Sequence, residues 1–435
     1  MTVHAFARSK RGNQSMILPR GKQLRRVCSL EWTSAVRRAI FQLLVLAAPA
    51  MRSLGGQSTV RANDNGLAPR TSAAHPRAEW SLDPAPALVL GGASSTGPLE
   101  FSGVAGVRLA SDGRVAVADA RAREIRVFGP DGRFVRRFGR AGRGPGEFDG
   151  IWSVFRSADT LMVVDNSGRA VVVDFDGRVL RTLARPYVAG ATEPTRIGLM
   201  PDGRAIVTAV ATRSPALALD SQREVLLGRE SPTGSWLGTL FPLRAAPKGL
   251  ERQLASDPAK FAPSVKVAVG FARICSGVSD SFDLVCRDSS GNAPIRIRRA
   301  IRRRATSDED RAYVRAMNVA ANRGVAPRVM REIEEENRLM RFAPLLPVLG
   351  RVAISAIGEL WVSEFDRGED GFGPPSMTAP NRAMRWSVYS ADGVWLSDVV
   401  LPAHFVPQDF GRDYVAGVSF DRDQVEQVII WRIRR

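Results

Sequence analysis

The strongest constraint on this chain is a repeat. Gly106-Val-Arg-Leu-Ala-Ser-Asp-Gly-Arg-Val-Ala-Val-Ala-Asp119, followed by Glu124-Ile-Arg-Val-Phe-Gly-Pro-Asp-Gly-Arg-Phe-Val-Arg-Arg-Phe138, spells four short β-branched runs hinged on Asp-Gly turns. Asp159-Thr-Leu-Met-Val-Val-Asp165 and Ala170-Val-Val-Val-Asp-Phe-Asp-Gly-Arg-Val-Leu180 repeat the pattern, and Asp119 to Asp165 is 46 residues. That is the size of one four-stranded unit in a radial array of sheets. A single unit cannot bury both of its faces, so copies must stack on one another.

Weaker copies follow. Asp202–Thr208 with Glu224–Leu227 and Gly234–Trp236 makes a third unit, and Asp283–Cys286 with Ile295–Ile297 a fourth. Gly358–Glu364 with Arg385–Trp395 makes a fifth, and Tyr414–Ser419 with Gln427–Ile433 a sixth that has an inner pair but no outer strand. A ring of units must pair its ends, because an unpaired edge invites aggregation. The unclaimed run Ala87-Leu-Val-Leu90 can supply the missing strand. The expected fold is therefore all-β: a six-bladed β-propeller of four-stranded antiparallel blades, closed by an N-terminal strand. Degeneracy of the third and fourth units leaves five or seven blades as alternatives.

Between units four and five, residues 306–342 lose strand alternation. Ser307-Asp-Glu-Asp310 resembles a capping box, with Ala312, Tyr313, Ala316, Met317 and Ala320 on one helical face. A second helix is expected from Arg328 to Met340, carrying Met330 and Ile333. This helical insert either packs on the ring or serves as a lid.

Three segments are expected: an export signal at 1–50, a flexible leader at 51–83, and the propeller at 84–435. Ala39–Ala48 is a ten-residue apolar run, too short for a spanning helix of about 20 residues. Basic residues precede it and Ala48-Pro49-Ala50 follows, the order of a removable export signal cleaved after Ala50. The basic stretch is long enough that translation starting at Met16 or later is an alternative. The mature chain is then periplasmic or extracellular, with no membrane span, and a monomer. Of the formal +18 charge, residues 1–50 hold nine Lys/Arg against Glu31 alone, so much of the excess leaves with the signal. In the remainder only Arg296 to Arg304 is dense, and it lacks interleaved aromatic residues. A solvated outer strand explains it better than a phosphate-binding stripe, so nucleic acid is not the expected partner.

Export leaves two cysteines, Cys275 and Cys286, read as one disulfide across a hairpin, with two reduced core thiols as the alternative. The richer face of the ring holds the second-to-third strand loops and the connections between blades. Asp119, Arg121, Arg123, Glu147, Asp165, Arg169 and Glu364 are its candidate ligand residues, offering directional hydrogen bonds to a polar ligand. For Asp119 and Asp165 the competing role is to cap their own loops. Neither a Walker loop nor a Gly-x-Ser-x-Gly elbow is present. His4 and His75 precede the ring and only His404 lies within it, which argues against a multi-histidine zinc site. No cofactor is expected, although a carboxylate calcium site stays open.

The run Gly103 to Phe148, ending in Arg137-Phe-Gly-Arg-Ala-Gly-Arg-Gly-Pro-Gly-Glu-Phe148, resembles an NHL repeat. Gly358-Glu-Leu-Trp-Val362 and the closing Val425–Ile433 are similar to bacterial six-bladed propellers of the NHL and TolB-like group. That resemblance implies the fold and a diverse set of functions. The leading reading is a noncatalytic binding or interaction scaffold of the cell envelope, its partner a protein, peptide or carbohydrate. The alternative is a metal-assisted hydrolase or lyase of the gluconolactonase type using channel carboxylates. Convergent Asp, Glu or Asn side chains in the channel would favour the second, and apolar or Arg side chains the first.

Overall fold

The computed structural model describes residues 70–71, 75–211, 224–244, 259–370, 379–421 and 423–435. The export signal and most of the leader lie outside the described residues. Six antiparallel sheets succeed one another along the chain. Their innermost strands are Val104–Leu109, Ser153–Ser157, Ala191–Leu199, Val265–Gly270, Leu349–Ile354 and Phe405–Phe410. Each blade then steps outward through hairpins, so the molecule is a six-bladed β-propeller.

Blade stacking explains the strand sequences. Middle strands such as Val115–Asp119 and Ala170–Asp174 are covered on both faces by neighbouring blades and are buried nearly throughout. Outer strands such as Phe134–Phe138 face solvent and are largely exposed. One core cluster joins blade 1 to blade 2 through Ile125, Phe148, Leu161, Val163 and Phe175. The Cys275–Cys286 disulfide lies in the cluster between blades 4 and 5, bridging directly opposed residues of Arg273–Val278 and Phe282–Asp288.

The ring closes through blade 6. Its third strand, Glu426–Arg434, pairs with Leu88–Gly91 and, further along, with Ser81–Leu82. Tyr414–Phe420 and Glu426–Arg434 are thus the middle strands of the blade, and Phe405–Phe410 is innermost. The sequence pattern misplaces this pair because Pro407-Gln408-Asp409 breaks alternation, and a bulge falls between Pro407 and Asp409.

The leader was expected to be loose up to residue 83, yet its described part straps the outside of three blades. Arg70–Thr71 adds in parallel to the outer strand of blade 4. The Arg77 and Ala78 amides donate to Trp395 and Leu396 of blade 5 at 3.3 and 2.9 Å. Trp80 donates its amide to Ser397 Oγ at 2.8 Å and carries the Arg435 guanidinium over its ring at 4.1 Å.

The insert forms two helices, α1 (Asp308–Ala321) and α2 (Pro327–Leu339). Ser307 and Asp310 make the reciprocal capping box. The buried face of α1 differs from the one expected: Asp310, Val314, Met317 and Asn318 point inward, while Ala312 and Ala316 are exposed. Two contacts set this rotation. Val314 joins Phe261, Ala343 and Leu346 in a small core, and Asn318 donates to Asn337 of α2 at 2.9 Å. Among the described residues no helix is long and apolar enough to cross a membrane.

The Arg296 to Arg304 run is engaged within the molecule. Arg296 and Arg298 pair with Asp283 at 2.7 and 2.9 Å, and Arg299 lies 3.9 Å over the Trp395 ring. Arg303 donates to the carbonyls of Leu345 and Leu346, and Arg304 pairs with Asp310 at 3.0 Å.

Candidate functional site

Strand direction sorts the loops. Inner strands all begin on one face of the ring, which also carries the second-to-third strand loops and the blade connections. The seven candidate residues lie in those loops, and their contacts are mostly local. Asp119 is fully buried and accepts from Ser102 N, Ser102 Oγ and Ala122 N at 2.9–3.0 Å. Asp165 accepts from Ser167 N, Ser167 Oγ, Arg169 N and Arg169 Nε. Arg169 in turn donates to the carbonyls of Arg143, Gly144 and Glu147, sewing the glycine-rich connection onto blade 2. Glu147 accepts from the Gly144 amide and Arg140, and these bonds hold its carboxyl below the ordinary range. Glu364 is half exposed between Arg382 and Arg385, each 3.6 Å away. Arg121 is exposed and Arg123 half-buried at a left-handed bend with φ 57. None of the seven lines the central cavity.

That cavity has a volume of about 900 Å³, within the range of small-ligand sites. All six inner strands contribute to its wall. An inner strand is a sheet edge, so its outward N–H and C=O groups need partners. At the end where the inner strands finish, side chains supply them. Gln408 Oε1 accepts from Val107 N at 2.7 Å, and Asp409 from Leu109 N at 2.8 Å. Arg108 spans three inner strands, donating to the carbonyls of Val107 at 2.7 Å, Gln408 at 2.6 Å and Val154. Asp409 also pairs with Arg156 at 3.0 Å and accepts from Tyr414 Oη at 3.3 Å. Burial lowers the Arg108 pKa, opposed by the Asp409 charge. Burial, reinforced by Asp409, raises that of Tyr414.

The other end, where the inner strands begin, is less self-satisfied. Lys266 Nζ lies 3.1 Å from Glu369, whose carboxyl is pushed up by burial against the pull of Lys266 and Arg351. Arg351 lines the cavity, and its guanidinium makes no hydrogen bond or ion pair among the described residues. Ser153, opening the inner strand of blade 2, has a buried hydroxyl with no partner. Glu369 sits on the 3-10 turn Arg367–Asp370, and α1 braces that turn. Arg367 pairs with Glu309 at 2.9 Å and lies 4.2 Å over Tyr313. The helical pair thus packs beside the channel mouth, and none of its residues lines the cavity. Among the described residues no three His, Cys, Asp or Glu side chains group closely enough to hold a metal ion.

Residues 99–189 match the family model described as DUF5128, 6-bladed beta-propeller. The match spans blades 1 and 2, where the repeat is plainest. No curated protein sequence matches the chain. Among solved structures, a DUF4221 family member from Bacteroides vulgatus aligns at 10% identity and TM-score 0.49, covering 82% of this chain and 99% of that one. An inferred exported protein of Bacteroides fragilis aligns at 10% identity and TM-score 0.44, covering 84% and 99%. A gluconolactonase from Xanthomonas campestris aligns at 13% identity and TM-score 0.35, covering 77% and 87%.

Proposed function

We propose that this chain is an exported, noncatalytic binding propeller of the NHL-like group, and that its central channel is the ligand site. The supporting observation is the chemistry of the channel wall. Four cations, Arg108, Arg156, Lys266 and Arg351, come from four different blades and share the wall with valine and isoleucine. The two carboxylates beside them, Asp409 and Glu369, are each engaged by a cation of their own. A metal-assisted hydrolase needs several free carboxylates converging on one point, whereas a binding site needs shape, apolar wall and a few directional groups. Export rests on the basic, apolar and small-residue order of residues 1–50.

The test is a thermal-shift screen of small molecules on the chain, repeated with Ser157→Trp, which places a bulky side chain on the cavity wall. Binding compounds are expected to raise the melting temperature of the wild-type chain, to lose that effect in the variant, and to be recovered chemically unchanged. Turnover of a lactone or ester panel, abolished by Ser157→Trp, would overturn the noncatalytic reading in favour of a hydrolase.

A further inference from the structure

We infer that the channel selects small organic acids, with an anionic head held by Arg351 and Lys266 and an apolar body laid along the valine and isoleucine wall. The inference rests on the channel being the ligand site and adds the class of ligand.

Polar groups at the two ends of the channel have different duties. Where the inner strands finish, Arg108, Gln408 and Asp409 complete the hydrogen bonding of the blade edges, and Arg156 neutralises Asp409. Removing Arg108, Gln408 or Asp409 leaves backbone groups unpaired, and removing Arg156 leaves Asp409 without its ion pair, which accounts for their presence without a ligand. Where the strands begin, no such duty falls on Arg351. Its guanidinium offers five donors in a planar fork suited to a carboxylate, sulfonate or phosphate head. Arg351 feels the charge of Glu369 but makes no hydrogen bond to it among the described residues, so its unused fork on the cavity wall points to an acceptor that arrives from outside.

Charge and shape narrow that acceptor. Lys266 and Arg351 share the single charge of Glu369, so an incoming anion meets two cations from adjacent blades with one positive charge in excess. Arg108 adds a further positive charge whose hydrogen bonds go to carbonyls rather than to a carboxylate. The field inside the channel is therefore positive, and the concave wall focuses it. Ser153 leaves a hydroxyl free for a second hydrogen bond. The wall between these groups is built from Ile197, Val265, Val267, Val269, Val352 and Ile354. A wholly polar anion would leave that wall wet, whereas an acid with a hydrocarbon body covers it.

Isothermal titration with octanoate, its uncharged isostere octanamide, octylammonium and inorganic phosphate tests this. Octanoate is expected to bind at least tenfold tighter than octanamide or phosphate, and octylammonium to give no heat of binding. Arg351→Gln should weaken octanoate at least tenfold and leave octanamide unchanged, and Arg351→Lys should recover part of the loss. If octanamide binds as tightly as octanoate, or Arg351→Gln leaves octanoate unchanged, selection for acids is refuted while the channel remains a binding site. Phosphate binding as tightly as octanoate would refute the role of the apolar wall. If none of the four probes binds at millimolar concentration, the proposed ligand class falls. Octanoate binding unaltered by Ser157→Trp and equally by Ser153→Trp, which crowds the end where the strands begin, would place the ligand outside the channel and refute the proposed function itself.

Discussion

Asp165 separates a structural from a ligand-binding role for the loop residues, and replacing it with alanine gives a large, signed effect. The carboxylate is fully buried and accepts four bonds, two from Ser167 and two from Arg169. Arg169 is 14% exposed and depends on Asp165 for its charge partner, its other bonds going to the carbonyls of Arg143, Gly144 and Glu147. Alanine leaves that guanidinium without a counter-charge and two loop amides without acceptors. Breaking a buried ion pair from one side costs about 3–5 kcal/mol. For a ring of roughly 350 residues the unfolding entropy is about 0.7 kcal/mol/K, so the melting temperature should fall by about 4–7 °C. Differential scanning calorimetry of wild-type and Asp165→Ala chains without ligand provides the measurement. A melting temperature within 1 °C of wild type would refute the capping argument and return Asp165 to the list of ligand residues.

Deleting the chain up to residue 83 should lower the melting temperature by about 3–6 °C, since it removes several strap hydrogen bonds and the Trp80–Arg435 contact. An unchanged melting curve would show that Leu88–Gly91 alone closes the ring. Reduction of Cys275–Cys286, which closes a loop with a sequence separation of 11, should cost about 3 kcal/mol and about 4 °C, read by calorimetry with and without dithiothreitol. The Glu369 carboxyl is raised by burial, so the folded state holds its proton to a higher pH than the unfolded chain does. Its contribution to stability therefore falls as pH rises through that window and is regained on acidification. The groups facing it are Lys266 and Arg351, and protonation frees Lys266 for an incoming anion. Octanesulfonate, whose charge is fixed, should accordingly bind more tightly as pH is lowered from 7 towards the carboxylate range, and Glu369→Gln should flatten that titration profile.

Legibility in the sequence followed the physics of each position. Blades 1 and 2 could be read because their turns need a left-handed residue, and Gly113, Gly132 and Gly177 supply it after an Asp at repeating intervals. The closing strand near residue 88 was legible because an apolar run had no other partner. The inner strand Phe405–Phe410 was not, since Gln408 and Asp409 serve the edge of blade 1 some 300 residues earlier, a duty that replaces alternation with polar side chains. Asp119 and Asp165 stood out by repetition, and in blades 1 and 2 repetition marks a shared duty, a capped loop.

A ligand site inside a propeller obeys the opposite rule. Its residues must differ from blade to blade, because six identical walls would offer only a symmetric pore. Arg108 and Arg156 recur at nearly the blade spacing, 48 residues apart, and both serve blade edges or neutralise Asp409. Lys266 and Arg351 have no charged counterpart at matching positions of blades 1 and 2, where the strand register places Gly106 and Ser153. The signal that would have found them is a cation within the first strand of a unit whose neighbours are all apolar, as in Val265-Lys-Val-Ala-Val269 and Gly350-Arg-Val-Ala-Ile354. Such a charge can be kept in a buried edge strand only if it completes the backbone or meets an anion. Among the described residues Arg351 completes no backbone group and meets Glu369 without an ion pair of its own, so the octanoate titration bears on the channel cation whose hydrogen-bonding capacity the fold leaves unused.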